Sequence, residues 1–332
     1  MKLREAWAIS RESSEEKRYR YVRLADGGGL AGFGEAAHSA RYAETEESVQ
    51  RFLEAVARGH PPDCVSRSGA AAVEMAGLDL EGQRAGIPLH ALLGLAHPGR
   101  LMTSHSVGLA PPETMASRAR SLAGTGFRVL KIKLGTPHDR EIIKAVRSAT
   151  SLPVRADANE GWADREGAAR MIDWLGRHDV ELVEQPLPAG RLEDVAWLRE
   201  RSALPLVADE DLPGDAKTDF AALAGAYDGV NIKVMKVGGI RAAMDLAGQA
   251  RGAGLEVMLG CMIESSLGTT AAAHLGTLAR WIDLDGHLLV SNDPFDGLRC
   301  DDGHLVLPDR PGIGAETNGA AQGFPFTTLR DR

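Results

Sequence analysis

Apolar and polar positions change their period along this chain. Residues 1 to about 35 carry three short alternating runs, LREAWAI, RYRYVRL and LAGFGE, separated by polar or turn-forming stretches such as Asp26-Gly27-Gly28-Gly29. Alternation of this kind predicts strands, and the short separations predict a three-stranded antiparallel meander. Two helical stretches follow, at about 45–58 and 68–84, and then the segment GIPLHALLG. The opening reads as an α+β module.

From about residue 102 short β-branched runs alternate with Ala-rich helical segments, the pattern of βα units on a parallel sheet. The strand candidates are TSHSVGL, RVLKIKL, PVRADA, ELVEQP, PLVADE, GVNIKV, LEVMLG and WIDLDG. Stretches such as IRAAMDLAGQARGAG lie between them and end in Gly or a polar residue, as helices do. Eight such strands would close a barrel. The tail after about Cys300 reads as a strand and loop returning to the first module. The expected division is 1–100, 101–300 and 301–332.

Composition narrows the partners. At 332 residues, 44% apolar and 25% charged, the chain suits a barrel of about 250 residues plus a further domain. Cys64, Cys261 and Cys300 are odd in number and widely spread. That predicts free thiols in a reducing, cytoplasmic setting. The N-terminal residues have no apolar core of signal-peptide length, and no later run approaches a membrane span. A net charge of −8 with no basic tract gives phosphate backbones nothing to neutralise. A small molecule is the expected partner, and nucleic acid and membrane are not.

Polar residues at the ends of the strand candidates carry the chemistry. Lys133, Asp157, Glu184, Asp209 and Lys233 recur about every 25 residues, roughly one βα unit each, and Asp283 follows two units later. In a barrel those strand ends share one mouth, where catalytic residues collect. The two-residue period puts Val129, Lys131 and Lys133 on the inner face and Leu130, Ile132 and Leu134 on the outer one. Asn231 and Lys233 share a face in the same way.

Three acids brought together are costly unless a cation neutralises them. Hard carboxylate oxygens without neighbouring His or Cys pairs favour Mg²⁺ over Zn²⁺. A carboxylate bound to that ion accepts charge, so the carbon beside it can lose a proton to give an enediolate. A lysine base must then be neutral near pH 7, about 3 units below its usual 10.4, or roughly 4 kcal/mol. Lys131 and Mg²⁺ would push Lys133 that way. Lys133 and Lys233, on opposite sides of the barrel, would remove a proton from one face and return it to the other.

The run KIK, DAN, VEQP, ADE and NIK resembles the enolase superfamily, in its muconate-lactonising branch, over nearly the whole chain. GIPLHALLG and the closing HLVLPDRPGIG look like family segments too. The handling of a proton by Lys with Mg²⁺ is a known feature of that superfamily. The resemblance implies a (β/α)₇β TIM-like barrel with an α+β capping domain, often in a homo-oligomer. It makes Asp157, Glu184 and Asp209 the metal ligands and Lys133 and Lys233 the acid–base pair. Lys131 would assist at the substrate carboxylate, with Asn159 and Glu210 in support.

Asp283-Leu284-Asp285 looks like the DxD of dipeptide epimerases, whose two acids hold the α-ammonium of a dipeptide's first residue; strand spacing puts both on one face. Ser106 matches a substrate-contacting hydroxyl, and Cys261 and Met262 would line the same pocket. Family members acting on Ala-Glu tend to carry an arginine in the capping loop, residues 10–16. Here Ser14 aligns with it and Arg11 lies earlier, a departure from the Ala-Glu pattern. Glu12, Glu15 and Glu16 would favour a cationic side chain or form a solvated acidic loop.

Other readings remain open. A muconate cycloisomerase or o-succinylbenzoate synthase would keep the metal and lysines without holding an ammonium. An N-acyl amino acid racemase would move the same proton on a capped nitrogen. A non-catalytic barrel would have no use for two opposed lysines. The ten histidines form no HxxxH or HExxH pair, Gly27-Gly28-Gly29 reads as a hairpin turn, and Cys261 has no base beside it in sequence.

Overall fold

The computed structural model describes residues 1–214 and 218–331. It opens with β1 (Lys2–Ala8), β2 (Ser13–Glu16), β3 (Arg20–Ala25) and β4 (Ala31–Ala36), then α1 (Glu46–Ala57), α2 (Arg67–Ala85) and a short α3 (Leu89–Leu92). After β5 (Arg100–Met102) come β6 (Ser104–Val107), α4 (Pro112–Gly124), β7 (Val129–Lys133), α5 (Asp139–Ala149), β8 (Val154–Asp157) and α6 (Arg165–Gly176). The series continues with β9 (Val180–Glu184), α7 (Leu192–Arg199), β10 (Leu206–Ala208), α8 (Phe220–Ala226) and β11 (Gly229–Lys233). It ends with α9 (Val234–Val237), α10 (Ile240–Gly252), β12 (Glu256–Gly260), α11 (Ser266–Ala273) and β13 (Trp281–Asp283). The tail adds β14 (Phe295–Asp296), β15 (Arg299–Asp301), β16 (His304–Val306), β17 (Glu316–Thr317) and β18 (Phe326–Arg330).

The eight strands β6 to β13 lie in chain order in one parallel sheet. A parallel bridge from Thr103 to Ile282 joins its two edges and closes the ring. A helix follows each of the first seven strands, so the (β/α)₇β barrel with an α+β cap is observed as expected. Leu130 and Ile132 join the apolar layer between strands and helices. Inside, Leu182, Val207, Met258 and Trp281 form a floor. Three of these stand two residues before Glu184, Asp209 and Asp283, on the same face by the strand period. The fourth, Met258, is likewise two before Gly260, whose register partner is Asp283. These acids therefore sit one layer above a packed base. Arg155, two before Asp157, also turns inward and donates to Ile282 O at 2.9 Å.

The opening differs from the expected meander. β1 pairs antiparallel with β2, whose sequence SSEE carries no apolar alternation. β3 pairs with β4 in a separate sheet, and β18 fills its third place, parallel to β3. The reason is packing: β3 and β4 bury one face on α2, whereas β1 runs toward the barrel, with Leu3 bridging to Val290. Gly32 and Gly34 let α2 approach closely. A Cβ there would fall 2.0 Å from Ala76 O and 1.8 Å from Ala72 O. Beside this sheet Tyr21, Phe33, Phe295 and Phe326 form an aromatic cluster, while the strand expected just after Cys300 is β16, which pairs with β5. Among the described residues no helix is long and apolar enough to cross a membrane.

Candidate active site

The strand register sets the site level. Lys133 lies opposite Asp157, Asp157 opposite Glu184, and Gly260 opposite Asp283. The inward side chains consequently meet at one height, the carboxyl ends of their strands. Lys131 Nζ lies 2.7 Å from Asp283 Oδ2, 2.7 Å from Glu184 Oε2 and 3.1 Å from Asp157 Oδ2. Lys133 Nζ donates to Asp157 Oδ2 at 2.6 Å, and Lys233 Nζ to Asp209 Oδ2 at 2.7 Å. β7 and β11 are four strands apart in a ring of eight, so the two lysines face each other across the mouth. Asn231 Nδ2 donates to Glu184 Oε1 at 2.8 Å.

Burial makes these charges depend on one another. Desolvation pushes Lys131 down, but Asp283, Glu184 and Asp157 outweigh it and hold the ammonium well above its ordinary value. Lys233 is likewise raised against burial, chiefly by Asp209. Burial raises Asp157, yet Lys133 and Lys131 bring it down to about 2. Asp209 falls below the usual carboxylate range, burial being overcome by Lys233 and Lys236. Glu184 moves up through burial and the neighbouring Asp157.

Asp283 and Asp285 lie at the end of β13 and just beyond it. Ser104 Oγ donates to Asp283 Oδ1 at 2.6 Å, and the Ser106 N–H to Asp285 Oδ2 at 2.5 Å. Burial and then Asp283 raise Asp285, whereas Lys131 overcomes burial and holds Asp283 below its ordinary value, so Asp285 is the acid of the pair without a close ammonium. Both acids line a cavity of about 480 Å³ with Ser106, Lys131, Lys133, Lys233, Asp209 and Asn159. Cys261, Met262 and Glu210 also face it. The cavity roof is the β1–β2 hairpin and residues 38–46. Asp157 and Glu184 sit beneath, fully buried.

The cap is tied to the rim by ions. Arg11 donates to Glu210 Oε1 at 2.7 Å and to Asn159 O at 3.1 Å. Arg41 makes two hydrogen bonds to Glu160, at 2.9 and 2.8 Å. Asn159, Glu160 and Gln185 have φ of 43°, 66° and 37°. Such left-handed backbone in non-glycine residues persists where surrounding structure over-determines it. Gln185 Oε1 accepts from Asp209 N and Asp211 N, which fixes the turn after β10.

Several members of this cluster carry no distinguishing motif in the sequence. Lys236, one helical turn past Lys233, is buried in α9 and donates to Asp209 Oδ1 at 2.7 Å. It ends the run NIKVMK, but a helix after a strand suggests a solvated lysine. Glu35 and Glu264 face each other at the cap–barrel seam; a Cβ on Gly268 would come 2.9 and 2.5 Å from their Oε2 atoms. Trp7 and Tyr42 line the cavity from the cap; no polar motif marks them.

Among the described residues no three His, Cys, Asp or Glu side chains stand close enough to hold a metal ion as placed. Lysine ammonium groups pair with the carboxylates instead. The donor set nonetheless fits a hard divalent cation. Asp157, Glu184 and Asp209 offer acceptor-only oxygens at neighbouring strand ends, and Asn159 Oδ1 and Glu210 Oε2 beside them are buried without hydrogen-bond partners.

Residues 114–321 match the family described as Enolase C-terminal domain-like. The chain is 38% identical over 304 residues to the L-Ala-D/L-Glu epimerase of Bacteroides thetaiotaomicron, covering 86% of this chain and 78% of that protein. The crystal structure of N-succinyl Arg/Lys racemase from Bacillus cereus superposes with a TM-score of 0.91 at 28% identity, covering 98% of this chain and 95% of that one. A dipeptide epimerase from Cytophaga hutchinsonii, complexed with Mg and the dipeptide D-Ala-L-Val, gives a TM-score of 0.88 at 27% identity over 96% of this chain and 93% of that one. The chain belongs to the enolase C-terminal domain-like family, and it is an isomerase of the racemase and epimerase kind.

Proposed function

We propose that the chain is a Mg²⁺-dependent dipeptide epimerase that inverts the α-carbon of the substrate's C-terminal residue. The observation that carries this reading is the pair Lys133 and Lys233, buried on opposed strands at one level, beside the acids Asp283 and Asp285. When bound by Asp157, Glu184 and Asp209, the cation would neutralise charge on the substrate carboxylate as the α-proton leaves. Lys133 would take or give the proton on one face and Lys233 on the other; Asp209, which holds Lys233 charged, would have to turn to the cation before Lys233 could serve as a base. Lys131, held charged, orients the substrate carboxylate. Asp283 and Asp285 supply the negative charge that a dipeptide's α-ammonium would satisfy, and Ser104 and the Ser106 N–H hold them in place. Cys64, Cys261 and Cys300 are all free thiols, which supports assignment to a reducing cytoplasm.

A second reading, an N-acyl amino acid racemase, is favoured by the likeness to the N-succinyl Arg/Lys racemase. It needs the same lysines but no ammonium site. Mass spectrometry of α-hydrogen exchange in D₂O, with Mg²⁺ and pooled dipeptides beside N-acyl amino acids, separates the two. A one-dalton gain on dipeptides supports the epimerase. Gain only on N-acyl compounds transfers the assignment to the racemase, and gain on neither withdraws both.

A further inference from the structure

We propose that Trp7 sets the size of the substrate's N-terminal residue, as the wall between the active-site cavity and an apolar pocket beside it. The inference rests on the dipeptide reading. The second pocket, about 230 Å³, lies between β1, the end of β6 and α4. Trp7, Ser106 and Leu289 line both spaces and so form the partition. Beyond the partition stand Leu3, Val107, Leu122 and Leu288, with Arg118 and Glu5 paired to one another beside them; the four apolar residues suit an aliphatic or aromatic side chain.

Trp7 is fixed rather than loose. Its ring lies on the backbone of Gly108, where a Cβ would come 3.0 Å from Cε3 and 3.3 Å from Cζ3. Next to it the Leu109 N–H donates to Ala8 O at 2.8 Å, pinning the end of β1 to the barrel. The carboxylate of Asp285 is held by the Ser106 N–H, so the ammonium it would bind lies at this end of the cavity. The side chain on the carbon bearing that ammonium therefore meets Trp7. Small residues fit in front of the indole, and larger ones need the space behind it.

The test compares kcat/KM, read as α-hydrogen exchange, for Ala-Xaa and Leu-Xaa dipeptides that share one C-terminal residue. Wild type is expected to favour Ala-Xaa. Trp7→Ala should raise the Leu:Ala ratio by about tenfold or more, mainly through KM, and Trp7→Phe by less. Leu289→Ala opens the partition from its other side and should shift the ratio the same way, which carries the test if Trp7→Ala does not fold. An unchanged ratio in the folded variants, or a wild type that prefers Leu-Xaa, overturns the proposal. A wild type that exchanges no dipeptide instead brings down the reading beneath it, and the proposal with it.

Discussion

The barrel mouth and the β1–β2 hairpin both carry dense charge, and they use it in opposite ways. At the mouth, Lys131 is 2% exposed and touches three carboxylates. In the hairpin, Glu16 and Arg18 are 53% and 72% exposed and bond to one another in water. The attraction is the same, but solvent screening leaves exposed pairs worth little, whereas a buried charge stripped of its partner is heavily penalised. Rigid strands and mutual pairing thus over-determine the layer that would do chemistry. The surface that would meet the substrate's periphery is held by interactions that can change at small cost. Arg11 joins the two regions, 32% exposed itself and bound to a Glu210 side chain that is 1% exposed.

The contrast is broken most directly at its buried end. Lys133→Ala and Lys233→Ala should each lower epimerisation by about 10³-fold. Each should abolish exchange from one epimer while sparing the other, as D₂O exchange on each separate epimer would reveal. Loss from both epimers in both variants would argue against opposed bases. Lys131→Met leaves Asp157, Glu184 and Asp283 without their shared countercharge and should cost about 3–5 kcal/mol in urea unfolding. Millimolar Mg²⁺ should restore part of that loss by binding the folded state. Asp285→Asn should come next, raising KM for dipeptides about tenfold or more and leaving N-acyl compounds unaffected.

Legibility follows the same division. The barrel strands, Lys133, Lys233 and the three acids could be placed because each depends on a local period, two along a strand and about 25 between strands. The cap defeated that logic. β2 has no apolar alternation because its hairpin is exposed on both faces. The partner of β3 arrives from residues 326–330, a pairing that no local pattern announces. The network linking Lys131 to Asp283, and Lys236 to Asp209, was likewise invisible because it joins strand ends through space. In sequence Trp7 is one more apolar strand residue, and only its contact with Gly108 sets it apart.

Between the two regions lies the Glu35–Glu264 pair, which belongs to the seam itself. Burial pushes Glu35 up to about 7 and Glu264 up to about 8. Above the usual carboxylate value near 4.3 the unfolded chain has released these protons, while the folded chain retains them. The folded state then binds more protons, so stability falls as pH rises through that window and levels off above about 8. Glu264→Gln removes much of this slope. Its Tm should fall several degrees less than that of wild type between pH 6 and pH 9, by calorimetry with Ser265 and Lys233 intact. Parallel slopes would mean that the seam does not titrate with folding.

The smallest effect belongs to the hairpin rim. Arg18 makes two hydrogen bonds to Glu16, at 2.9 and 2.6 Å, and Lys17 lies 3.5 Å from Glu12. Glu12 and Glu16 thus each have a cation beside them, so these two acids add little net charge to the cavity. Glu16→Gln should therefore leave Tm unchanged and alter KM less than about threefold for substrates with a cationic C-terminal side chain, since an exposed pair contributes so little. Arg18→Ala, which frees Glu16, should instead improve binding of those same substrates modestly, an effect that fades with added salt. A Tm loss in either variant approaching that of Lys131→Met would place the hairpin inside the same rigid frame as the barrel mouth, and the distinction between the two regions would disappear.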